Sequence, residues 1–158
     1  MQTLWQDLPF TDSVIRLTAA TLMGAALGIN REIRGKPAGM RTHALVALGT
    51  ALATLIAIAL ATGPEGVDRS AVSRVIQGVL AGIGFLGAGA ILKAESGERV
   101  QGLTTAASVW VVAGLGIACG AGLWALALTA LVLTLIVLIG GEPLERMLHR
   151  LLGTSNGH

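Results

Sequence analysis

Charge is what this chain has least of. Asp, Glu, Lys and Arg make up 13% of its 158 residues, about half of the ~25% usual in a soluble domain. Tyrosine is absent. Cys119 is the lone cysteine, which excludes an intramolecular disulfide and a cysteine-based zinc site. Alternating strands of barrel length are missing, which removes a β-barrel from consideration. No acidic residue lies inside a long apolar run: Asp12, Glu32, Glu65, Asp68, Glu95, Glu98 and Glu142 all flank such runs. A net charge of +2 gives no reason to expect nucleic acid as a partner, and no cofactor or resident metal is expected.

What is there is apolar: 53% hydrophobic residues, with 22 glycines. Five stretches approach or reach the ~17–25 residues that cross a bilayer. They run over Asp12–Ile29, Thr42–Thr62, Ser73–Leu92, Leu103–Ala118 and Leu123–Ile139. Arg16 is the one charge inside the first. Asp12 or Ser13 is expected to cap it. CGAG, Cys119–Gly122, divides the last two into a tight helical hairpin. The fold expected is all-α and integral to the membrane, a bundle of five transmembrane helices. Residues 1–11 form a tail before it, with Trp5 and Phe10 as interfacial anchors. Residues 142–158 follow it as a short amphipathic tail, Leu144, Met147, Leu148, Leu151 and Leu152 recurring at helical spacing, with GTSNGH at the end expected to be disordered.

Basic residues set an orientation. The first loop holds Arg31, Arg34, Lys36 and Arg41; the second holds Arg69 beside Glu65 and Asp68; the third holds Lys93 and Arg99; the fourth holds none; the tail holds Arg146 and Arg150. Lys and Arg collect on the cytoplasmic side of a membrane. The N-terminus is therefore expected outside and the C-terminus in the cytoplasm.

Residues 82–87, GIGFLG, match the G-x-G-x-x-G of dinucleotide-binding loops. That motif needs a preceding strand, a following helix and a parallel sheet. Here it lies inside an uncharged run of spanning length among four others, so helix packing is the better reading. At 100° per residue, Arg74, Gly78, Gly82, Phe85 and Gly89 share one stripe, and Gly84 and Gly87 lie opposite. GxxxG pairs recur as Gly24–Gly28, Gly78–Gly82 and Gly116–Gly120; small residues let helices approach closely in lipid, where apolar burial gives no drive. A break at this glycine run, exposing carbonyls, would instead suit ion ligation.

The second informative stretch is NREIRGKPAGMRTH, Asn30–His43. Pro37 and Gly39 shape it as a turn. Its basic residues suit an anionic lipid surface or a protein partner. Together REIRGKPAGMRTHALVALG, GIGFLGAGAIL and GLTTAASVWVVAGLG resemble the membrane domain of the bacterial MgtC/SapB family, over roughly Arg16–Gly122. Asn30 and Gln101 stand where the family usually has Glu and Arg, and Gln77 lies one place early. The resemblance implies a multi-pass protein of the bacterial inner (plasma) membrane, associated with growth at low magnesium and with virulence through survival inside macrophages. Restraint of the F-type ATP synthase is one activity it implies, and magnesium transport another. With only the short tail 142–158 after the spans, the ACT-like C-terminal domain of MgtC-type members is not expected.

Two functions follow as expectations. The first is a non-enzymatic regulator or interaction protein, acting through Arg31, Arg34, Lys36, Arg41 and His43. Asn30, Gln77, Thr104 and Thr105 are polar residues at helix ends or in a cavity, the two threonines also reading as helix caps. On the outer side Arg74 has Asp68 as its candidate partner. The alternative is a transporter of magnesium or another small cation. An enzyme is not expected. Five short, glycine-rich helices further suggest a homo-oligomer, a two-fold dimer, packed through Gly24, Gly28, Gly78, Gly82, Gly84, Gly87 and Gly89.

Overall fold

The computed structural model describes residues 9–93 and 100–152. The tail with Trp5, the loop residues Glu95, Glu98 and Arg99, and the terminal GTSNGH lie outside the described residues. Five helices follow one another: α1 (Phe10–Ile33), α2 (Met40–Ala61), α3 (Arg69–Gly89), α4 (Leu103–Gly120) and α5 (Trp124–Leu151). All are long and apolar enough to cross a membrane. Two-residue strands form small antiparallel hairpins in two connections. β1 (Thr62–Gly63) pairs with β2 (Gly66–Val67) between α2 and α3, and β3 (Leu92–Lys93) with β4 (Val100–Gln101) between α3 and α4.

Several boundaries differ from the sequence reading, each for a local reason. α1 begins at Phe10 with Pro9 as its N-cap, so neither Asp12 nor Ser13 caps it. Asp12 sits in the first turn and pairs with Arg16 one turn on, at 2.7 Å. α1 also continues through Asn30 and Arg31 to Ile33, so much of the expected loop is helix. The expected tail is not separate either: α5 runs without interruption to Leu151, with Pro143 inside it. Proline has no N–H for the carbonyl four residues back, here Ile139. The Arg34 guanidinium donates to that same carbonyl, at 3.4 Å.

α4 is the centre of the bundle. In it 56% of the span is buried, against 11% for α3 and for α5. Its Val112, Ala113, Leu115 and Cys119 meet Ala20 and Leu27 of α1 and Ala47 and Ala51 of α2 in one core. α2 is clasped on two sides by glycine pairs. On α1, a Cβ at Gly24 would stand 2.5 Å from the His43 carbonyl oxygen, and one at Gly28 2.5 Å from Met40 Cα. On α4, one at Gly116 would collide with Thr50 Oγ1 and the Ala47 carbonyl, and one at Gly120 would stand 2.6 Å from the Ala51 carbonyl. Both GxxxG pairs therefore serve one function, close backbone approach to α2.

α3 behaves differently. It stays helical through GIGFLG to Gly89. Only Gly87 of its glycines meets a neighbour, Ala106 of α4, at an ordinary 3.6 Å; Gly78, Gly82, Gly84 and Gly89 face open space. The expectation of packing on two faces is thus met on one face within a single chain.

The candidate functional site at the basic end

At one end of the bundle the last turn of α1, the loop 34–39 and the first turns of α2 and α4 converge. Arg31 and His43, expected on a basic surface, are in the interior, at 3% and 0% exposure. The continuation of α1 carries Arg31 inward, and α2 turns His43 toward α4. The Arg31 guanidinium donates to Thr105 Oγ1 at 2.7 Å. His43 Nδ1 lies 3.0 Å from the Gly39 carbonyl, which can only accept, so Nδ1 carries the hydrogen. His43 Nε2 lies 3.1 Å from Ser108 Oγ, and the Thr105 carbonyl lies 2.8 Å from the same oxygen, so the two acceptors compete for one hydroxyl hydrogen. A charged donor in an apolar interior needs such acceptors, and a bond to a charged group contributes about 1.5–3 kcal/mol. The network ties α1, α2 and α4 together through side chains. Ser108 and His43 approach like a nucleophile and its base, but both are enclosed by these three helices.

Thr105 does not cap α4. The N-cap is Gly102, at φ +91°, and makes no side-chain bond; a Cβ there would collide with the Ala90 carbonyl, so α4 starts against the end of α3 only because this residue is glycine. Thr104 is exposed on the same turn. Asn30 Oδ1 is buried and has no hydrogen-bond partner among the described residues.

The loop itself is held taut. Lys36 N–H donates to the Arg31 carbonyl and Gly35 N–H to the Glu32 carbonyl, both at 3.0 Å. α2 begins with Gly39, which has no capping side chain. Glu32 supplies the cap from α1 instead, accepting from Met40 N–H at 2.9 Å, where a carboxylate also suits the positive end of the helix dipole. Ala38 takes a left-handed φ of +58°, a conformation that a non-glycine residue holds only at a cost, and it is half-buried against the core. Lys36 and Arg41 remain exposed on this frame, and Arg34 reaches across to α5.

The opposite end uses α1 in the same way. Arg16 donates to the Gly120 carbonyl at 2.9 Å, placing a cation at the negative end of α4. Its guanidinium packs where a Cβ at Gly122 would stand, 3.0 Å away. The single charge inside the first span is thus a C-cap for another helix. Sequence reading missed this role and that of Glu32; the signal available was only that each charge stood near the end of an apolar run. Asp68 and Arg74 form no direct salt bridge. Asp68 caps α3, accepting from Ser70 and Ala71 N–H at 2.9 and 3.2 Å, and Arg74 donates to Ser70 Oγ at 3.2 Å. Hydrogen bonds from the Ser70 side chain and from the Ala71 and Ser70 backbone hold the Asp68 carboxyl below its ordinary range, and the Arg74 charge is the smallest of the causes that lower it. Gln77 is exposed on α3. Among the described residues no three His, Cys, Asp or Glu side chains gather to hold a metal ion.

The chain is 45% identical over 149 residues to protein SrpB of Synechococcus elongatus, covering 90% of this chain and 79% of SrpB. It is 38% identical over 147 residues to the Escherichia coli protein named putative magnesium transporter YhiD, covering 90% of this chain and 65% of YhiD. It is 42% identical over 138 residues to protein MgtC of Salmonella typhimurium, covering 87% of this chain and 54% of MgtC. It thus spans little more than half the length of MgtC. No solved structure matches it. The model of the MgtC family matches residues 17–147, nearly the whole bundle, and this chain, with its five apolar helices, belongs to the MgtC family.

Proposed function

We propose that the protein is a non-enzymatic regulator of other membrane proteins in the bacterial inner membrane, with its basic end in the cytoplasm and its N-terminus outside. The observation that carries this reading is the division of labour among the basic residues. Arg31 and His43 are buried and lock the helices, while Lys36 on the loop and Arg41 in the first turn of α2 are exposed on either side of the Glu32 cap. A rigid, exposed basic rim suits electrostatic docking of an acidic partner surface. The family resemblance makes the F-type ATP synthase the first partner to probe, and adaptation to low magnesium the setting. The test is capture of partners from native membranes by the tagged protein, probing the synthase subunits. Lys36→Ala with Arg41→Ala should reduce capture several-fold; unchanged capture would remove the loop from the mechanism.

The second reading, a cation transporter, is favoured by the name that YhiD carries. Magnesium takes octahedral oxygen ligands, usually with one or two carboxylates. Asp12, Glu32, Glu65 and Asp68, the acidic residues whose side chains are described, sit at helix ends and connections, and α3 keeps its helix through the glycine run. Magnesium-driven flux into proteoliposomes holding only this protein would make it the better reading.

We also propose a homodimer, formed through α3. Its exposed face carries Gly78, Gly82, Ala81 and Gly89 with Arg74 and Gln77, beside the exposed Phe85 and Leu86. The exposed faces of α2 and α5 are richer in large aliphatics such as Leu52, Ile56, Leu133 and Val137, the composition that suits lipid.

A further inference from the structure

A groove of about 680 Å³ opens on the side of the bundle at the end opposite the basic loop, between α2 and α3 and under the β1–β2 hairpin. That volume is in the range of small-molecule sites, ~300–1,000 Å³. Its walls are graded. Arg69, Val72, Ser73 and Ile76 of α3 line it at i, i+3, i+4 and i+7, one face of a helix. Glu65 at the hairpin turn and Arg69 at the first residue of α3 form an exposed charged rim. Below them Val72, Ile76 and Ile58 of α2 are half-buried and apolar. Glu65 and Arg69 make no ion pair with each other. The neighbouring charges are otherwise engaged: Asp68 caps α3, and Arg74 turns to Ser70 on another face of the helix.

We propose that this groove binds a zwitterionic phospholipid with a primary ammonium headgroup. α3, long and apolar enough to cross a membrane, begins at Arg69; with that end at the bilayer surface the rim lies at headgroup depth, and Ile76, about 10 Å further along the helix, at the depth of the acyl chains. The Arg69 guanidinium offers paired donors to a phosphate, and the Glu65 carboxylate accepts from an ammonium N–H. A quaternary ammonium has no N–H to donate, and a headgroup of net negative charge places nothing cationic at Glu65. The order of preference is therefore phosphatidylethanolamine over phosphatidylcholine and phosphatidylglycerol.

Native mass spectrometry of the purified protein, mixed with each of these three lipids at equal concentration, tests the assignment. One phosphatidylethanolamine per chain should survive activation several-fold better than either other lipid. Glu65→Gln should erase the advantage over phosphatidylcholine, and Arg69→Gln should lower retention of all three. Both side chains are exposed, so the folded bundle should persist, checked by its thermal transition. Ser73→Trp, which fills the groove from its rim, should displace the lipid. Equal retention of the three lipids by the unaltered protein would mean a non-selective annular film and overturn the proposal. Retention unchanged in both charge variants would overturn it as well.

Discussion

Glycine has two meanings in this chain, and only the neighbours separate them. At Gly24 a methyl group would press on the His43 carbonyl, and backbone cannot move aside cheaply. At Gly78 it would meet nothing within 4 Å. Gly24→Ala should therefore destabilise by about 1–3 kcal/mol, the usual cost of overpacking. In detergent that separates the proposed dimer, Gly78→Ala should be neutral or stabilising by about 0.5–1 kcal/mol, the backbone entropy of a helical glycine. Denaturation in detergent at matched conditions compares the two; equal losses would show that the clash at Gly24 is relieved elsewhere. Thr105 supports a second prediction at this scale. Thr105→Val keeps the volume and removes the acceptor 2.7 Å from Arg31. It should destabilise by about 1–3 kcal/mol, the cost of losing a partner to a buried polar group, and Thr105→Ser should restore most of it.

Among the elements, the helix ends show how charge is used where it is scarce. α1 supplies Glu32 to the start of α2 and Arg16 to the end of α4, so one helix caps two others. α3 has its own cap in Asp68. Its carboxyl titrates below the usual range because the charged form takes hydrogen bonds from the Ser70 side chain and the Ala71 and Ser70 backbone. A depressed pKa contributes stability above the unfolded value, near 3.9, and loses it as pH falls through the folded value. Hydrogen exchange at Ser70 and Ala71 should thus be protected at neutral pH. Protection relative to mid-helix amides should fall below about pH 4, near that unfolded value. In Asp68→Asn, which cannot titrate, this acid-dependent loss should disappear; the same loss in that variant would assign it to another group. The length of α5 belongs to this scale too. Its 28 residues extend ~42 Å at 1.5 Å per residue, beyond a hydrocarbon core of ~30 Å. The part after Pro143 reaches past the apolar span, with Leu144, Met147 and Leu151 exposed along it.

For the whole molecule, the proposed orientation and assembly are open to direct measurement. A cysteine placed at Lys36, in a background lacking Cys119, should react with a membrane-impermeant maleimide only after the cytoplasmic side is opened. A cysteine at Val67 should react in intact spheroplasts; the reverse pattern would invert the topology. A cysteine at Gly82 should crosslink two chains in membranes, and one at Leu133, on the lipid-exposed side of α5, should not. Crosslinking at Leu133 alone would move the dimer interface to α5.

The number of spans, the hairpin at CGAG and the rejection of GIGFLG as a nucleotide loop were all legible in the sequence. Long uncharged runs and glycine spacing are local, one-dimensional signals, and the cost of exposing backbone or charge to lipid leaves few alternatives. The glycine pairs on α1 and α4 were legible as packing devices for the same reason. Which helix they pack on was not, because a GxxxG pair carries no mark of its partner. The end of α1 shows the limit most clearly. Four basic residues in a short stretch read as one surface loop, but four more residues of helix carry Arg31 into the interior. Only the meeting of α1, α2 and α4 decides that Arg31 and His43 lock the core while Lys36 and Arg41 face outward. Tertiary structure also converted Arg16, an anomaly inside an apolar span, into the cap of a helix 104 residues away. The sequence by itself determined that this protein lives in a bilayer as five helices, because burial of apolar length is additive along the chain. What each polar side chain does there depended on partners distant in sequence, and only the folded bundle brings those within hydrogen-bonding distance.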